Sequence, residues 1–280
     1  MSRLLIEHTT RFAYQGSVSA SYNEARMTPR HEPGRQHVLH SGIDIAPVTW
    51  RHDYVDYWGT RVTAFEVLSA HTELEITAKA LVEVTARPHG GAGVGWEDVR
   101  AATVTDELAE YLSDSPTTAP PPDVAAIAER AAREHPPHEA ARFICAGLGE
   151  EVAYVPGATA VHSTAAEAWD VRQGVCQDMA HLSVGALRSV GIPARYVSGY
   201  LHPESSGPIG EPAAGESHAW VEWWAGGWSG FDPTNRSEVT EHHVVLARGR
   251  EYQDVAPLRG IFAGPGTQAL DVRVSITREA

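Results

Sequence analysis

The chain has 280 residues, of which 42% are hydrophobic and 21% charged, a composition typical of one large or two modest globular domains. Its formal net charge of -14 disfavours binding to nucleic-acid phosphates or to anionic membranes. No secretory hydrophobic segment and no apolar run of membrane-spanning length is visible, so we expect a cytoplasmic protein.

Residues 1–86 are predicted to form an amino-terminal antiparallel β domain of the sandwich type. The segment from Met27 to Gly42 is interpreted as a polar loop or an irregular strand pair, and the domain as structural or substrate-positioning. Five short alternating segments bounded by turns are predicted as strands: Leu4 to Tyr14, Gly42 to Pro47, Thr49 to Tyr57, Val62 to Leu68 and Leu74 to Val84.

Residues 87–122 are rich in Gly, Pro and Thr and are predicted to be a surface linker, with a short helical segment from Thr105 to Leu112. Residues 123–280 then form the predicted second domain. Asp123 is predicted to cap a helix that ends before His135, and a second helix is expected from His138 to Leu148.

Cys176 is predicted to lie in the first turn of a buried helix. Gly174 allows a sharp turn before it, and a helical apolar spacing from Met179 to Val190 follows. The unpaired N–H groups and the dipole at a helix start favour a thiolate over a thiol. Taken alone, the position also fits a buried structural cysteine. The backbone N–H of Cys176 is a candidate oxyanion donor, and the second donor is unassigned.

The segment from Glu216 to Asn235 is predicted to be a β-hairpin turning at Ala225-Gly226-Gly227. If the turn centres near Ala225, His218 and Asp232 lie opposite one another with Cβ atoms within roughly 5 Å. A shift of one residue would put them on opposite faces. A cysteine, a histidine and an aspartate arranged in this way are the nucleophile, base and orienting group of acyl-transfer chemistry.

Other side chains are given secondary roles. Tyr154 and Trp169 are candidates to wall the site, and His181 points away from Cys176 along the helix and is interpreted as a packing residue. The Gly- and Pro-rich segment from His202 to Gly215 is predicted to be a loop that controls access, with an ordinary solvent-exposed loop as the alternative. Leu270 to Thr277 should form a final strand with one apolar face.

Metal and disulfide chemistry finds little support in the sequence. The two cysteines, Cys145 and Cys176, offer no disulfide framework and no paired-cysteine zinc spacing, and Cys145 is interpreted as buried helix filler. The 15 histidines include no His-Glu-x-x-His pattern, and the adjacent His242 and His243 face different ways. We therefore expect no metal and no cofactor.

Four motifs together resemble the bacterial transglutaminase-like superfamily, and they occur in the order typical of that family. They are Gly174 to Asp178 (GVCQD), Gly191 to Tyr200 (GIPARYVSGY), Ser217 to Trp220 (SHAW) and Phe231 to Asn235 (FDPTN).

The resemblance implies an α+β fold. An amino-terminal β-sandwich-like domain would precede a papain-like, transglutaminase-core domain in which the cysteine begins a helix packed on an antiparallel sheet. It also implies that Cys176 is the nucleophile, His218 the general base and acid, and Asp232 the group that orients the imidazole.

The same resemblance implies acyl transfer from a peptide or protein amide through a Cys176 thioester. Family members include cross-linking transferases, peptidases and amidases. We favour hydrolysis, because water is always present and no amine-binding pocket is apparent. Glu222 and neighbouring acids would attract a cationic amine, which keeps a protein-glutamine transglutaminase as the alternative, and a non-catalytic binding module is a third. The substrate and the oligomeric state are left open.

Overall fold

The structure is a computed structural model that describes residues 1–86, 93–203, 209–265 and 268–280. Part of the predicted linker (residues 87–92) and part of the predicted access loop (residues 204–208) lie outside the described residues. The described strands are β1 (Ser2–Val18), β2 (Ala20–Ala25), β3 (Gln36–Ala46), β4 (Trp50–Val55), β5 (Arg61–Val67), β6 (His71–Val84), β7 (Ala153–Tyr154), β8 (Gln173–Gly174), β9 (Ala194–Leu201), β10 (Pro212–Trp224), β11 (Trp228–Asp232), β12 (Ser237–Glu238), β13 (His243–Gly249), β14 (Leu258–Ala263) and β15 (Gln268–Arg278). The described helices are α1 (Trp96–Val99), α2 (Ala102–Glu107), a 3-10 turn (Ala109–Tyr111), α3 (Pro122–Glu134), α4 (Pro137–Glu151), α5 (Ala165–Val171), α6 (Cys176–Ser189) and α7 (Tyr252–Val255).

The amino-terminal part contains two antiparallel sheets with apolar side chains buried between them. β3, β6 and β1 follow one another in the larger sheet, and the smaller sheet has the order β14-β2-β5-β4. Leu74 and Ile76 of β6 and Phe65 of β5 share one buried cluster. These alternating apolar residues face the interior because successive side chains of a strand point to opposite faces. The predicted antiparallel sandwich is confirmed.

Two amino-terminal strands differ from the prediction. β2 was not expected, because Ala20–Ala25 carries no clear apolar alternation and is held by pairing with β5 and β14. β3 begins at Gln36, inside the predicted polar loop. In both places pairing with distant strands determines the structure, which local sequence does not reveal.

The end of the chain returns to the sandwich. β14 pairs with β2, and β15 pairs with β1 from Leu4 opposite Arg278 to Tyr14 opposite Gln268. The predicted apolar face of this last strand is only partly buried, since Ile276 is fully buried whereas Leu270 is 58% exposed. The division into residues 1–86, 87–122 and 123–280 stays a prediction, and β14 and β15 connect its first and last parts.

β10 is the central strand of the second part. It pairs with β9 and β11 along its second half and with β15 along its first four residues. α6 packs on β9 and β10, and α3, α4 and α5 pack around α6. Within the described parts of the chain, no helix is long and apolar enough to cross a membrane. The predicted α+β fold, with the cysteine at the start of a helix packed on an antiparallel sheet, is confirmed.

The helix boundaries need two corrections. α3 begins at Pro122, so Asp123 is inside the first turn rather than at the cap, and its carboxylate accepts hydrogen bonds from the N–H of Val124 and the indole of Trp169. Proline fits a first helical position because its missing N–H would have no helical partner there. In the predicted linker, the helical segment begins at Ala102, three residues earlier than expected.

A close backbone contact fixes α6 against the segment before α3. A Cβ atom added at Gly185 would lie 1.8 Å from the carbonyl oxygen of Thr118, whereas a Cβ at Gly147 on α4 would meet nothing within 4 Å. Alanine normally stabilises a helix relative to glycine by about 1 kcal/mol. We therefore expect opposite effects from the same substitution at these two positions.

Gly147→Ala should raise the free energy of unfolding by about 0.5–1 kcal/mol. Gly185→Ala should lower it by about 1–3 kcal/mol, because the backbone of α6 or of residue 118 must move. Denaturant unfolding of both variants beside wild type measures the difference. A Gly185→Ala protein as stable as Gly147→Ala would contradict the close contact.

Candidate active site

Cys176 is the first residue of α6, and the turn before it is held by one buried carboxylate. Asp178 accepts hydrogen bonds from the backbone N–H of Val175 at 2.7 Å and from the hydroxyl of Thr159 at 2.6 Å. A Cβ added at Gly174 would lie 2.8 Å from the side chain of Asp178. A glycine is therefore needed where the backbone of residue 174 passes this carboxylate. The thiol is partly exposed, and the first N–H groups of the helix lack partners within it.

His218 and Asp232 are joined directly by a hydrogen bond of 2.7 Å between Nε2 and Oδ2. The hairpin register differs from the expectation: Val221 pairs with Phe231, so continuing the ladder by one residue puts Asp232 opposite Trp220. His218 is therefore diagonal to Asp232 rather than opposite it. The shift amounts to two residues, so both side chains stay on the same face of the sheet.

Asp232 accepts hydrogen bonds on both carboxylate oxygens. Oδ1 accepts from the backbone N–H groups of Thr234 and Asn235 at 3.0 and 3.1 Å. Oδ2 accepts from His218, from the Asn235 side chain at 2.7 Å and from His243 Nε2 at 3.3 Å. This set of donors fixes the carboxylate, which in turn fixes the His218 ring.

The charges of the site reinforce one another. Burial alone would lower the pKa of His218, but hydrogen bonds to Asp232 and Cys176 and their negative charges raise it to about 10. Burial would raise the pKa of Asp232, but its hydrogen bonds from His218 and His243 hold it far below the usual range. Since Nε2 of His218 is bonded to Asp232, Nδ1 is the nitrogen left for Cys176. The structure thus brings the three predicted residues together.

Two family models match the chain, one on either side of the predicted linker. Residues 125–233 match the transglutaminase-like superfamily, and residues 4–83 match the bacterial transglutaminase-like N-terminal region. The chain belongs to the transglutaminase-like superfamily. An uncharacterized protein of Mycobacterium leprae is 42% identical over the full length of both chains. An uncharacterized protein of Mycobacterium tuberculosis is 33% identical over 98% of this chain and 92% of its own.

Two further comparisons concern named activities. A protein-glutamine gamma-glutamyltransferase of Pseudomonas aeruginosa is 38% identical over 99 residues, which are 32% of this chain and 15% of that protein. A crystal structure from Cytophaga hutchinsonii, described provisionally as a cysteine protease, superposes with a TM-score of 0.76. It is 19% identical and the match covers 99% of this chain and 90% of that one, so it shows that the fold is shared.

This superfamily member also carries a site residue that the sequence analysis did not assign. His243 is buried, and its Nδ1 accepts the backbone N–H of Thr240 at 3.1 Å, which leaves the proton on Nε2 facing Asp232. Burial, more than any other influence, lowers the pKa of His243, which favours this neutral donor. The only sequence signal was the pair His242-His243, in which the two rings were expected to face different ways.

The cleft beside His218 has a volume of about 660 Å³. Tyr154 lines it and is 47% exposed, as predicted for a wall residue. Trp169 is not among its lining residues; it is buried, donates to Asp123 at 2.6 Å and lies under Arg172. The prediction that Trp169 walls the site is therefore wrong, because its indole packs at the start of α3. The other lining residues are Leu201, His202, Pro203, Ala214, Glu216, Thr234, Asn235, Ser237 and His243.

Three other predictions can now be compared with the structure. His181 is fully buried, and its Nε2 accepts the backbone N–H of Tyr252, which confirms a packing role. Cys145 is also fully buried, and burial raises the pKa of its thiol to about 12. The predicted access loop ends earlier than expected, since β10 already begins at Pro212 and pairs with β15.

The carboxylate of Glu222 is not accessible to a cationic amine substrate. It is fully buried and its carboxylate accepts hydrogen bonds from Arg35, Arg195 and Arg248. These charges hold the pKa of Glu222 far below its usual range, although burial opposes them. The sequence placed Glu222 on the same strand face as His218. Its contact with Arg35, which directly precedes β3 and is 187 residues away in the chain, could not be predicted.

Proposed function

We propose that this superfamily member is a thiol-dependent hydrolase that cleaves a peptide or carboxamide bond through an acyl thioester on Cys176. The observation that supports this most is the position of His218, whose ring is bonded to Asp232 on one side and to Cys176 on the other. Such an arrangement makes the thiol nucleophilic and holds an acid ready for the leaving group.

In the first half of the proposed reaction, the Sγ of Cys176 attacks the carbonyl carbon of the substrate. The carbon–sulfur bond forms, the carbon–nitrogen bond breaks, and the leaving amine takes the proton from Nδ1 of His218. The negative charge that develops on the carbonyl oxygen is stabilised by the backbone N–H of Cys176 at the start of α6.

In the second half, water attacks the thioester while Nδ1 of His218 accepts its proton. The carbon–oxygen bond forms, the carbon–sulfur bond breaks, and the carboxylic acid leaves. Asp232 keeps its negative charge throughout and stabilises the imidazolium. Nothing in these steps needs a cofactor.

Water is the acceptor that we propose. The acid that would have favoured a cationic amine, Glu222, is buried among arginines, so it offers no amine site. Among the described residues that line the cleft next to His218, Glu216 is the acid that would favour transglutamination. A cytoplasmic location also stays a prediction.

The acceptor can be identified by incubating the protein with a peptide library rich in glutamine, in heavy-oxygen water, with and without a fluorescent primary amine. We expect Cys176-dependent incorporation of heavy oxygen into new carboxyl groups, with little change on adding the amine. Mass spectrometry locates the products, and Cys176→Ser provides the blank. Products that carry the amine in place of the oxygen label would identify a transferase instead.

A further inference from the structure

A second cavity, of about 530 Å³, lies on the side of the sheet where residues 30–35 meet β9, β11 and β13. Four arginines line it: Arg30, Arg35, Arg195 and Arg248. Three aromatic side chains complete much of its wall: Trp58, Tyr111 and Trp228. We call this the arginine cavity.

The arginine cavity is separate from the cleft beside His218. The two have no lining residue in common. They approach each other at Thr240, which lines the arginine cavity and donates its backbone N–H to His243. The cavity is therefore a neighbour of the candidate active site and has no part in the proposed reaction.

Within residues 1–86, 93–203, 209–265 and 268–280, two acids are bonded to these four arginines. Glu222 is bonded to Arg35, Arg195 and Arg248, and Glu32 is bonded to Arg248. Glu32 also lies 3.5 Å from Nε of Arg30. Among the residues that the structure describes, four positive charges thus face two negative ones, in a chain whose formal net charge is -14.

Burial is the largest influence on the pKa of two of these arginines. Burial, followed by the charge of Arg248, lowers the pKa of Arg30. Burial lowers the pKa of Arg195 to about 10; the attraction of Glu222 opposes this shift, and the charge of Arg248 adds to it. A guanidinium held away from water with too little counter-charge is unfavourable, and an anion of suitable size relieves it.

Another buried arginine in this chain has acids beside it that balance its charge. Arg26 is paired with Glu24 and Asp56. An ion-pair network that served only to join two parts of the fold would resemble this one, with its charges matched.

We propose that the arginine cavity binds a small organic dianion, either a phosphate monoester or a dicarboxylate. Two negative charges would balance the excess, and guanidinium groups suit both ligands because they bond two oxygens at once. The volume is within the range of small-molecule sites. Trp58 and Tyr111 offer apolar surface for the rest of the ligand.

Isothermal titration calorimetry at low ionic strength tests whether the arginine cavity binds a dianion. The ligands are phenyl phosphate and succinate, which are dianions, and benzoate, which is the monoanion control. We expect saturable binding of at least one dianion, at least tenfold tighter than that of benzoate. The two dianions distinguish phosphate from carboxylate recognition. The absence of saturable binding of either dianion up to millimolar concentration overturns the proposal.

Variants with opposite effects separate binding from damage to the fold. Arg30→Gln should weaken binding of the preferred dianion at least tenfold, whereas Glu32→Gln, which removes a negative charge, should strengthen it several-fold. Arg3 forms an exposed ion pair with Glu83. Arg3→Gln removes the same charge as Arg30→Gln and should have no effect on binding. Equal affinity in Arg30→Gln and Arg3→Gln, or weaker binding in Glu32→Gln, would contradict the proposal.

Discussion

Cys176 is expected to react with iodoacetamide rapidly below neutral pH, and this reactivity should disappear in His218→Ala. The hydrogen bonds and negative charges around His218 raise its pKa to about 10, so the imidazole is protonated throughout the neutral range. A positive imidazolium beside the sulfur, together with the start of α6, stabilises the thiolate.

The pH dependence follows from the sign of this shift. Below about pH 10 the His218 proton is retained, so the labelling rate of wild type should be nearly constant over the neutral range. In His218→Ala the rate should instead rise with pH across the alkaline range where an unperturbed thiol ionises. One to two pH units below that range the difference should be about tenfold to a hundredfold.

Peptide mapping by mass spectrometry locates the label and supplies an internal control. Cys145 is fully buried and burial raises its pKa to about 12, so it should stay unlabelled in the folded protein. Slow labelling of Cys176 that does not depend on His218 would indicate a structural cysteine. The protein would then be better explained as a binding module.

The local parts of this site were predictable because they depend on neighbours in sequence. The start of α6 follows from Gly174 and the apolar spacing after Cys176, and the hairpin turn follows from Ala225 to Gly227. The face shared by His218 and Asp232 was also predictable, since a strand alternates with a period of two. Even a register wrong by two residues preserved that face.

The remaining features depend on long-range contacts. Glu222 alternates like a solvent-facing acid, yet Arg35 and Arg248 cover it from other elements. Trp169 lies seven residues before Cys176, but its indole donates a hydrogen bond to Asp123, 46 residues away. β2 exists because β5 and β14 flank it. None of these partners is indicated by the period or the composition of the segment itself.

Asp232→Asn is expected to lower turnover by about 10³- to 10⁴-fold. In wild type, both carboxylate oxygens face only donors: backbone N–H groups on Oδ1, and His218, His243 and the Asn235 side chain on Oδ2. An amide NH₂ placed at Oδ2 forces His218 to accept through Nε2, which moves its proton to Nδ1. That nitrogen then can no longer take a proton from Cys176.

The same substitution should also weaken the fold, because the donors of His243 and Asn235 lose their acceptor. Each unsatisfied group costs about 1–3 kcal/mol, so a measurable drop in the midpoint of denaturant unfolding is expected. Turnover must therefore be measured well below that midpoint. Asp254→Asn is the matched control, because Asp254 lies on α7 and its carboxylate accepts hydrogen bonds from Arg250, away from Cys176, His218 and Asp232. Full turnover in Asp232→Asn under these conditions would contradict its orienting role, since the His218 tautomer would then be set by another group.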